Sequence, residues 1–307
     1  MVTIPAGESP MGSDRFYPEE RPRHTARVAA FRIDAHPVTN DLFAEFVAAT
    51  GWVTVAERPL DPDDYPGADP DLLHPGGVVF RPPPGPVPLD DPSRWWAYVP
   101  GASWRAPHGP GSSIDGLGDH PVVQVAFEDA EAYAAWRGAR LPTEAEWERA
   151  ARGGIDAEYS WGDDPYPDDR QMANTWQGRF PWEDLGLDGH RGTSPVGSFP
   201  PNGYGLFDMA GNVWEWTIDW WSEHRPADGG SSPSDDGSNL ADGGRPCCGS
   251  GAVESAAPGE RYGRRVIKGG SHLCAPSYCH RFRPAARQPE AIDTSTCHVG
   301  FRCVLDV

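Results

Sequence analysis

The sequence predicts a single domain of short strands and few helices, joined by long ordered loops. Three observations predict it. The 307 residues include 36 glycines and 34 prolines, which interrupt helices and strands and are dense for a chain without a compositional repeat. Thirteen tryptophans, within a hydrophobic share of 38%, supply the apolar surface that a disordered chain lacks. No repeat at solenoid spacing is visible and no linker divides the chain, so residues 1–307 read as one domain.

The elements follow in order. Met1-Val2-Thr3-Ile4-Pro5-Ala6-Gly7 reads as the first strand. A helix is expected from Asn40 to about Thr50: Thr39 or Asn40 caps it, Leu42, Phe43, Phe46 and Val47 form its apolar stripe, and Gly51 ends it. From Asp61 to about Gly118 the chain is dense in Pro, Gly and Asp. Its embedded Trp95, Trp96 and Trp104 mark an ordered excursion packed by its own rings. Val122-Val123-Gln124-Val125 reads as a short strand, followed by a helix from about Glu128 to Arg137 that Gly138 closes. A third helix opens on a capping box, with Thr143 as N-cap and Glu146 at the third helical position. Its Trp147 and Ala150 face inward and Gly153-Gly154 stop it. The Gly, Ser, Asp and Pro run from Asp228 to Pro258 reads as a mobile surface loop. Arg265–Lys268 is expected as a strand, and Gly300–Leu305 as the closing one.

Charge narrows the partners. Against 45 acidic residues stand 26 basic ones, a formal charge of −19. That argues against nucleic acid or an anionic membrane surface and suits cationic ligands, divalent metals or plain solubility. No apolar stretch approaches the ~20 residues of a membrane span. The N-terminus lacks the basic and apolar regions of a signal peptide, and six cysteines without such a signal lead to the expectation of a reducing cytoplasm.

The most informative chemistry is Cys274 and Cys279, five positions apart around Pro276. On a strand, residues five apart lie roughly 16 Å from each other on opposite faces; on a helix they diverge by about 140°. Only a turn at Pro276 and Ser277 brings the sulfurs together. Two thiols meeting there form a disulfide, a redox pair, inert buried thiols, or a soft-metal clip for Cu(I) or zinc. A tetrahedral zinc site lacks its third Cys or His at finger spacing. The ten histidines are scattered, none at helical metal spacing. A second cluster carries hard oxygen donors: Asn174-Thr175 with Asp188-Gly189-His190, and Asp208 ahead of Gly211-Asn212-Val213-Trp214-Glu215. Oxygens interleaved with glycines are what calcium takes; solvated turn residues make the same pattern, and neither segment is an EF-hand.

Several motifs together resemble a known family over nearly the whole chain. Ile4–Gly7 with Met11-Gly12-Ser13, Arg140–Glu148, Asn202–Leu206, Gly211–Trp216 and Gly300-Phe301-Arg302 are similar to the sulfatase-modifying factor superfamily. Gly270-Ser271-His272-Leu273-Cys274 with Ser277-Tyr278-Cys279 resembles the active-site segment of its formylglycine-generating enzymes, and Ala173–Gly178 adds to the match.

The resemblance implies a single, loop-rich α+β domain related to C-type lectins. It also implies an oxidoreductase that uses dioxygen and copper. Its substrate would be the cysteine of Cys-x-Pro-x-Arg in unfolded sulfatase chains, converted to Cα-formylglycine. Carried over, Cys274 and Cys279 are the Cu(I) ligands, held near-linearly, with Ser271, Tyr278 and Trp214 beside them. Two structural calcium sites fall on Asn174, Thr175, Asp188 and His190, and on Asp208, Gly211, Val213 and Glu215. The backbone carbonyl is the ligand at Thr175, His190, Gly211 and Val213. Disulfide positions of secreted animal members hold Ala134, Ala151 and Pro284 here, with Cys303 kept alone; Cys247, Cys248 and Cys297 receive no role. A monomer is expected. Two other classes compete: a non-catalytic binding module on this fold, which needs no cysteine pair, and an iron-dependent sulfoxide synthase, which needs an extra helical domain with histidine ligands.

Overall fold

The computed structural model describes every residue except 66, 68, 70–72 and 224–249. The chain begins with β1 (Val2–Ile4), β2 (Gly7–Met11), β3 (His24–Val28) and β4 (Phe31–Ile33). The single N-terminal strand expected is therefore two. Pro5 has no N–H to donate to a ladder, and the chain changes sheets there: β1 pairs with β4, β2 with β3.

Helix α1 (Asn40–Thr50) begins and ends as its sequence dictates. Thr39 Oγ1 accepts the Leu42 N–H at 3.3 Å, and Gly51 closes it at φ 70°. The Pro-rich excursion holds a hairpin that was not expected, β5 (Gly76–Phe80) on β6 (Trp96–Pro100). Its rings do pack it, for Trp95 and Trp104 are almost fully buried.

The strand expected at Val122–Val125 does not form. Gln124 takes φ 58°, which breaks a ladder, and the segment runs buried between elements. Helix α2 (Phe127–Trp136) follows, one residue earlier at each end than expected. In α3 (Glu144–Arg152) the capping box is complete: Thr143 Oγ1 accepts the Glu146 N–H at 3.1 Å, and Glu146 accepts the Thr143 N–H at 2.8 Å.

The remaining elements are β7 (Gly178–Arg179), β8 (Glu183–Asp184), β9 (Trp214–Trp220), α4 (Ser250–Ser255), β10 (Arg264–Lys268), β11 (Arg287–Ala291), β12 (Val299–Gly300) and β13 (Val304–Asp306). Of the loop expected over 228–258, residues 228–249 lie outside the described ones, with Cys247 and Cys248 among them. Of its described part, Ser250–Ser255 is the helix α4 and 256–258 are loop. The closing strand also divides: β12 runs parallel to β9, whereas β13 joins β4.

Two sheets thus frame the site, one ordered β1-β4-β13 and one β11-β10-β9-β12. Helix α3 packs between them through Trp147, Ala150 and Ala151. The main core gathers Phe43, Phe46, Tyr133 and Phe301 with Trp214 and Trp216 of β9. Several of the charges buried in this core are paired. Glu215 takes Arg302 at 2.7 Å, and Lys268 stands 3.4 Å from Glu144 and 3.1 Å from Glu148. A carboxylate or ammonium left alone at such depth costs several kcal/mol.

Candidate active site

Strand β10 ends at Lys268, and Gly269 and Gly270 turn the chain at φ 95° and 72°. Gly270 is required there, because a Cβ would lie 3.0 Å from the Arg281 carbonyl and the Phe282 backbone. The two arms of the following loop therefore pass in near contact. Within the loop, the Cys274 N–H donates to Ser271 O at 2.9 Å, and Ser271 Oγ accepts the Leu273 N–H at 3.2 Å. The Trp176 N–H holds the Cys274 carbonyl from outside at 3.0 Å. Beyond it the N–H groups of Tyr278 and Cys279 both donate to Ala275 O, at 3.0 and 2.8 Å. That single turn, with Pro276 and Ser277 exposed at its tip, is the one the spacing demanded. It places Cys274 Sγ 3.2 Å from Cys279 Sγ.

Neither cysteine is in a disulfide, whose bond is about 2.0 Å, so the pair shares a hydrogen bond. Cys274 is 1% exposed and receives the Ser271 N–H on its sulfur at 3.4 Å. Burial pushes its thiol well above the usual range. Cys279 is half-buried. The hydrogen bond from Cys274 and the Arg281 guanidinium, 3.9 Å away, lower it to about 7 against the opposing effect of burial. The proton of the pair accordingly sits on Cys274 and the anionic character on Cys279.

Tyr278 stacks on Phe180 at 4.4 Å and meets Trp95 edge-on at 5.7 Å. Burial raises its phenol. Trp214 is buried in the same apolar cluster as Cys274. Ser271 is wholly buried, so its oxygen shapes the loop from within.

The oxygen donors are also brought together. Asp188 accepts the N–H of Thr175 at 3.2 Å and of His190 at 2.9 Å, while Asn174 Nδ2 donates to Gly192 O at 3.0 Å. Gln177, which residue patterns did not single out, donates to both the Thr175 carbonyl and Asp188. Its amide nitrogen thus stands between two oxygens of the expected first set. In the second set Asp208 accepts the Gly197 N–H at 2.7 Å, and burial raises its carboxyl. Gly211 and Val213 are buried as well. Glu215 is different: both its oxygens are taken, by Arg302 and by the Trp147 indole N–H at 2.8 Å. Among the described residues no three His, Cys, Asp or Glu side chains cluster as a metal cage.

Asn212 joins these parts and was missed as a site residue. It is fully buried at φ 59°. Its N–H donates to Asn174 O at 2.8 Å, and its carbonyl accepts from His272 N–H at 3.0 Å and lies 2.9 Å from His272 Nδ1. The oxygen cluster therefore braces the cysteine loop directly. The signal was present, an Asn after Gly where a left-handed backbone is tolerated, but its partners lie 38 and 60 residues away.

The whole chain, residues 1–307, matches the family model described as sulfatase-modifying factor enzyme 1-like domain. A formylglycine-generating enzyme of Mycobacterium tuberculosis is 56% identical over 306 residues, covering 100% of this chain and 97% of the relative. One from Thermomonospora curvata is 47% identical, covering 100% and 93%. The solved structure of PvdO from Pseudomonas aeruginosa superposes with a TM-score of 0.65 at 24% identity, over 100% of this chain and 94% of that one, and shares the fold. Mixed, loop-rich architecture and full-length similarity agree: this chain belongs to the sulfatase-modifying factor family.

Proposed function

We propose that this protein activates sulfatases by oxidising the cysteine of a Cys-x-Pro-x-Arg segment to Cα-formylglycine, with dioxygen as acceptor and Cu(I) held by Cys274 and Cys279. The observation that carries the reading is the sulfur pair itself: two thiols 3.2 Å apart, one sealed in the core and one reachable.

The donor set suits copper, because two soft sulfurs without a third ligand select a monovalent soft ion over zinc or calcium. When bound, the metal supplies the one-electron chemistry that dioxygen requires. Cys274 and Cys279 would hold it, and Trp214, in the same buried apolar cluster as Cys274, would keep water from that sulfur. Tyr278, fixed between Phe180 and Trp95, precedes Cys279 in the turn. The reaction takes the substrate's methylene thiol and one water to an aldehyde and hydrogen sulfide, giving up two electrons and two protons to dioxygen. Calcium on the two oxygen clusters is structural in this reading and acts through Asn212 on the loop. The client is an unfolded chain met in the cytoplasm by a monomeric enzyme, and its arginine suits a protein of charge −19.

Incubating the copper-loaded protein under air with a Cys-x-Pro-x-Arg peptide tests it. The expected product has, by mass, lost one sulfur and two hydrogens and gained one oxygen. Cys274→Ser or Cys279→Ser abolishes its formation with the melting temperature nearly unchanged. An unaltered peptide mass with wild-type protein overturns the proposal.

A further inference from the structure

The two sulfurs are anchored by different parts of the molecule. Cys274 is held by its own loop, through the Ser271 N–H on its sulfur and the Trp176 N–H on its carbonyl. At its sulfur Cys279 meets, besides Cys274, the Arg281 guanidinium, with Nη1 at 3.9 Å. Arg281 in turn is placed by the other end of the chain. Its Nη2 donates to Glu19 at 2.7 Å, and its guanidinium lies 3.8 Å from the centre of the Tyr17 ring. Tyr17 is tied back to the loop, for its hydroxyl accepts the His280 N–H at 3.0 Å. One residue further on, Glu20 and Arg283 form a fully buried pair at 2.9 Å, with Arg283 3.6 Å from the Phe16 ring. A strap of residues 16–20 thereby lies along residues 280–283 and holds the Arg281 fork between Glu19 and the Tyr17 ring.

We propose that Arg281 is a positioning residue for Cys279, set in place by Glu19 and Tyr17, so that the N-terminal strap forms part of the metal-binding site. This rests on the copper reading above. A guanidinium can stack on Tyr17, bind Glu19 and face the sulfur at once because it is planar and carries five donors; an ammonium cannot. Groups that orient a metal ligand cost about 10–100-fold in metal affinity when removed.

The test measures Cu(I) affinity of the reduced protein by competition with a chromophoric chelator, alongside peptide kinetics and melting temperature. Arg281→Ala is expected to weaken Cu(I) binding by about 10–100-fold and to lower kcat with KM for the peptide unchanged. Arg281→Lys is expected to recover only part of the affinity, and Glu19→Gln to lose less than Arg281→Ala, all three with melting temperatures near wild type. Arg281→Lys and Glu19→Gln holding Cu(I) within twofold of wild type overturn the inference and leave the copper reading standing. Wild-type protein that fails to bind Cu(I) overturns both.

Discussion

Cys274 and Cys279 share a turn but differ in reach and in charge, and this difference is measurable before any substrate is known. With burial holding the first thiol protonated and the second drawn to about 7, the thiolate is the species that reacts. Brief treatment of the metal-free reduced protein with iodoacetamide at pH 7.5 is expected to alkylate Cys279 well ahead of Cys274, read by peptide mass mapping. Equal labelling of the two would refute the assignment of the proton. Cys297 and Cys303 are buried, and burial pushes both thiols up, so they stay unlabelled in the folded protein. A second residue gives a pH signature. His298, packed 4.8 Å from Trp96, is lowered to about 3 by burial. Its neutral form therefore contributes stability above pH 6.5 that is lost as pH falls toward 3. Asp129 works oppositely: burial raises it to about 6, and its contribution is complete below pH 3.8 and lost as pH rises through 6. That second effect is common to wild type and to a His298→Gln variant. The stability deficit of the variant should thus narrow between pH 7 and 4.5, by about 1.4 kcal/mol per pH unit once below 6.5; a deficit independent of pH sinks the argument.

At the scale of elements, α3 and β10 decide whether the cysteine loop is presented correctly. Helix α3 carries its own start signal, and Thr143→Ala is expected to cost about 1 kcal/mol in urea unfolding, the usual worth of an N-cap. Lys268, the last residue of β10, ties the strand that launches the loop to Glu144 and Glu148 of α3. Lys268→Met leaves two buried carboxylates without the cation between them. Each keeps an arginine, Arg287 for Glu144 and Arg152 for Glu148. The loss should fall toward the lower end of the roughly 3–5 kcal/mol of a broken buried pair. An unchanged denaturation midpoint would show that the lysine adds nothing to the joint.

For the whole molecule, the oxygen clusters and the cysteine loop meet at Asn212 rather than standing apart. If calcium occupies either cluster, a chelator removes stability by mass action, about 2.7 kcal/mol per site at calcium a hundredfold above Kd. The melting temperature should fall with a chelator and return with calcium but not with magnesium, whose octahedral demand suits these turn carbonyls poorly. A melting temperature indifferent to the chelator removes calcium from the account. The same chelation is expected to slow peptide oxidation, since His272 and the loop rest on the Asn212 carbonyl.

What could be read from the amino-acid string was what is encoded locally. The turn between Cys274 and Cys279 follows from five-residue spacing, and α1 and α3 follow from Thr39, Thr143 and the glycines that end them. The oxygen donors proposed for calcium were legible only as motif segments, because backbone carbonyls have no sequence signature. Where neighbours in space are distant in the chain, local rules failed. Val122–Val125 has the β-branched residues of a strand, yet Gln124 in the left-handed region ends that possibility. The β5–β6 hairpin was hidden by a proline-rich connection that carries no hairpin turn. Gly300–Leu305 reads as one strand, but its ends serve different sheets. The placement of Arg281 by Glu19, 262 residues away, belongs to the tertiary structure alone: an ion pair has no periodicity, and only the folded chain brings its two ends to one sulfur.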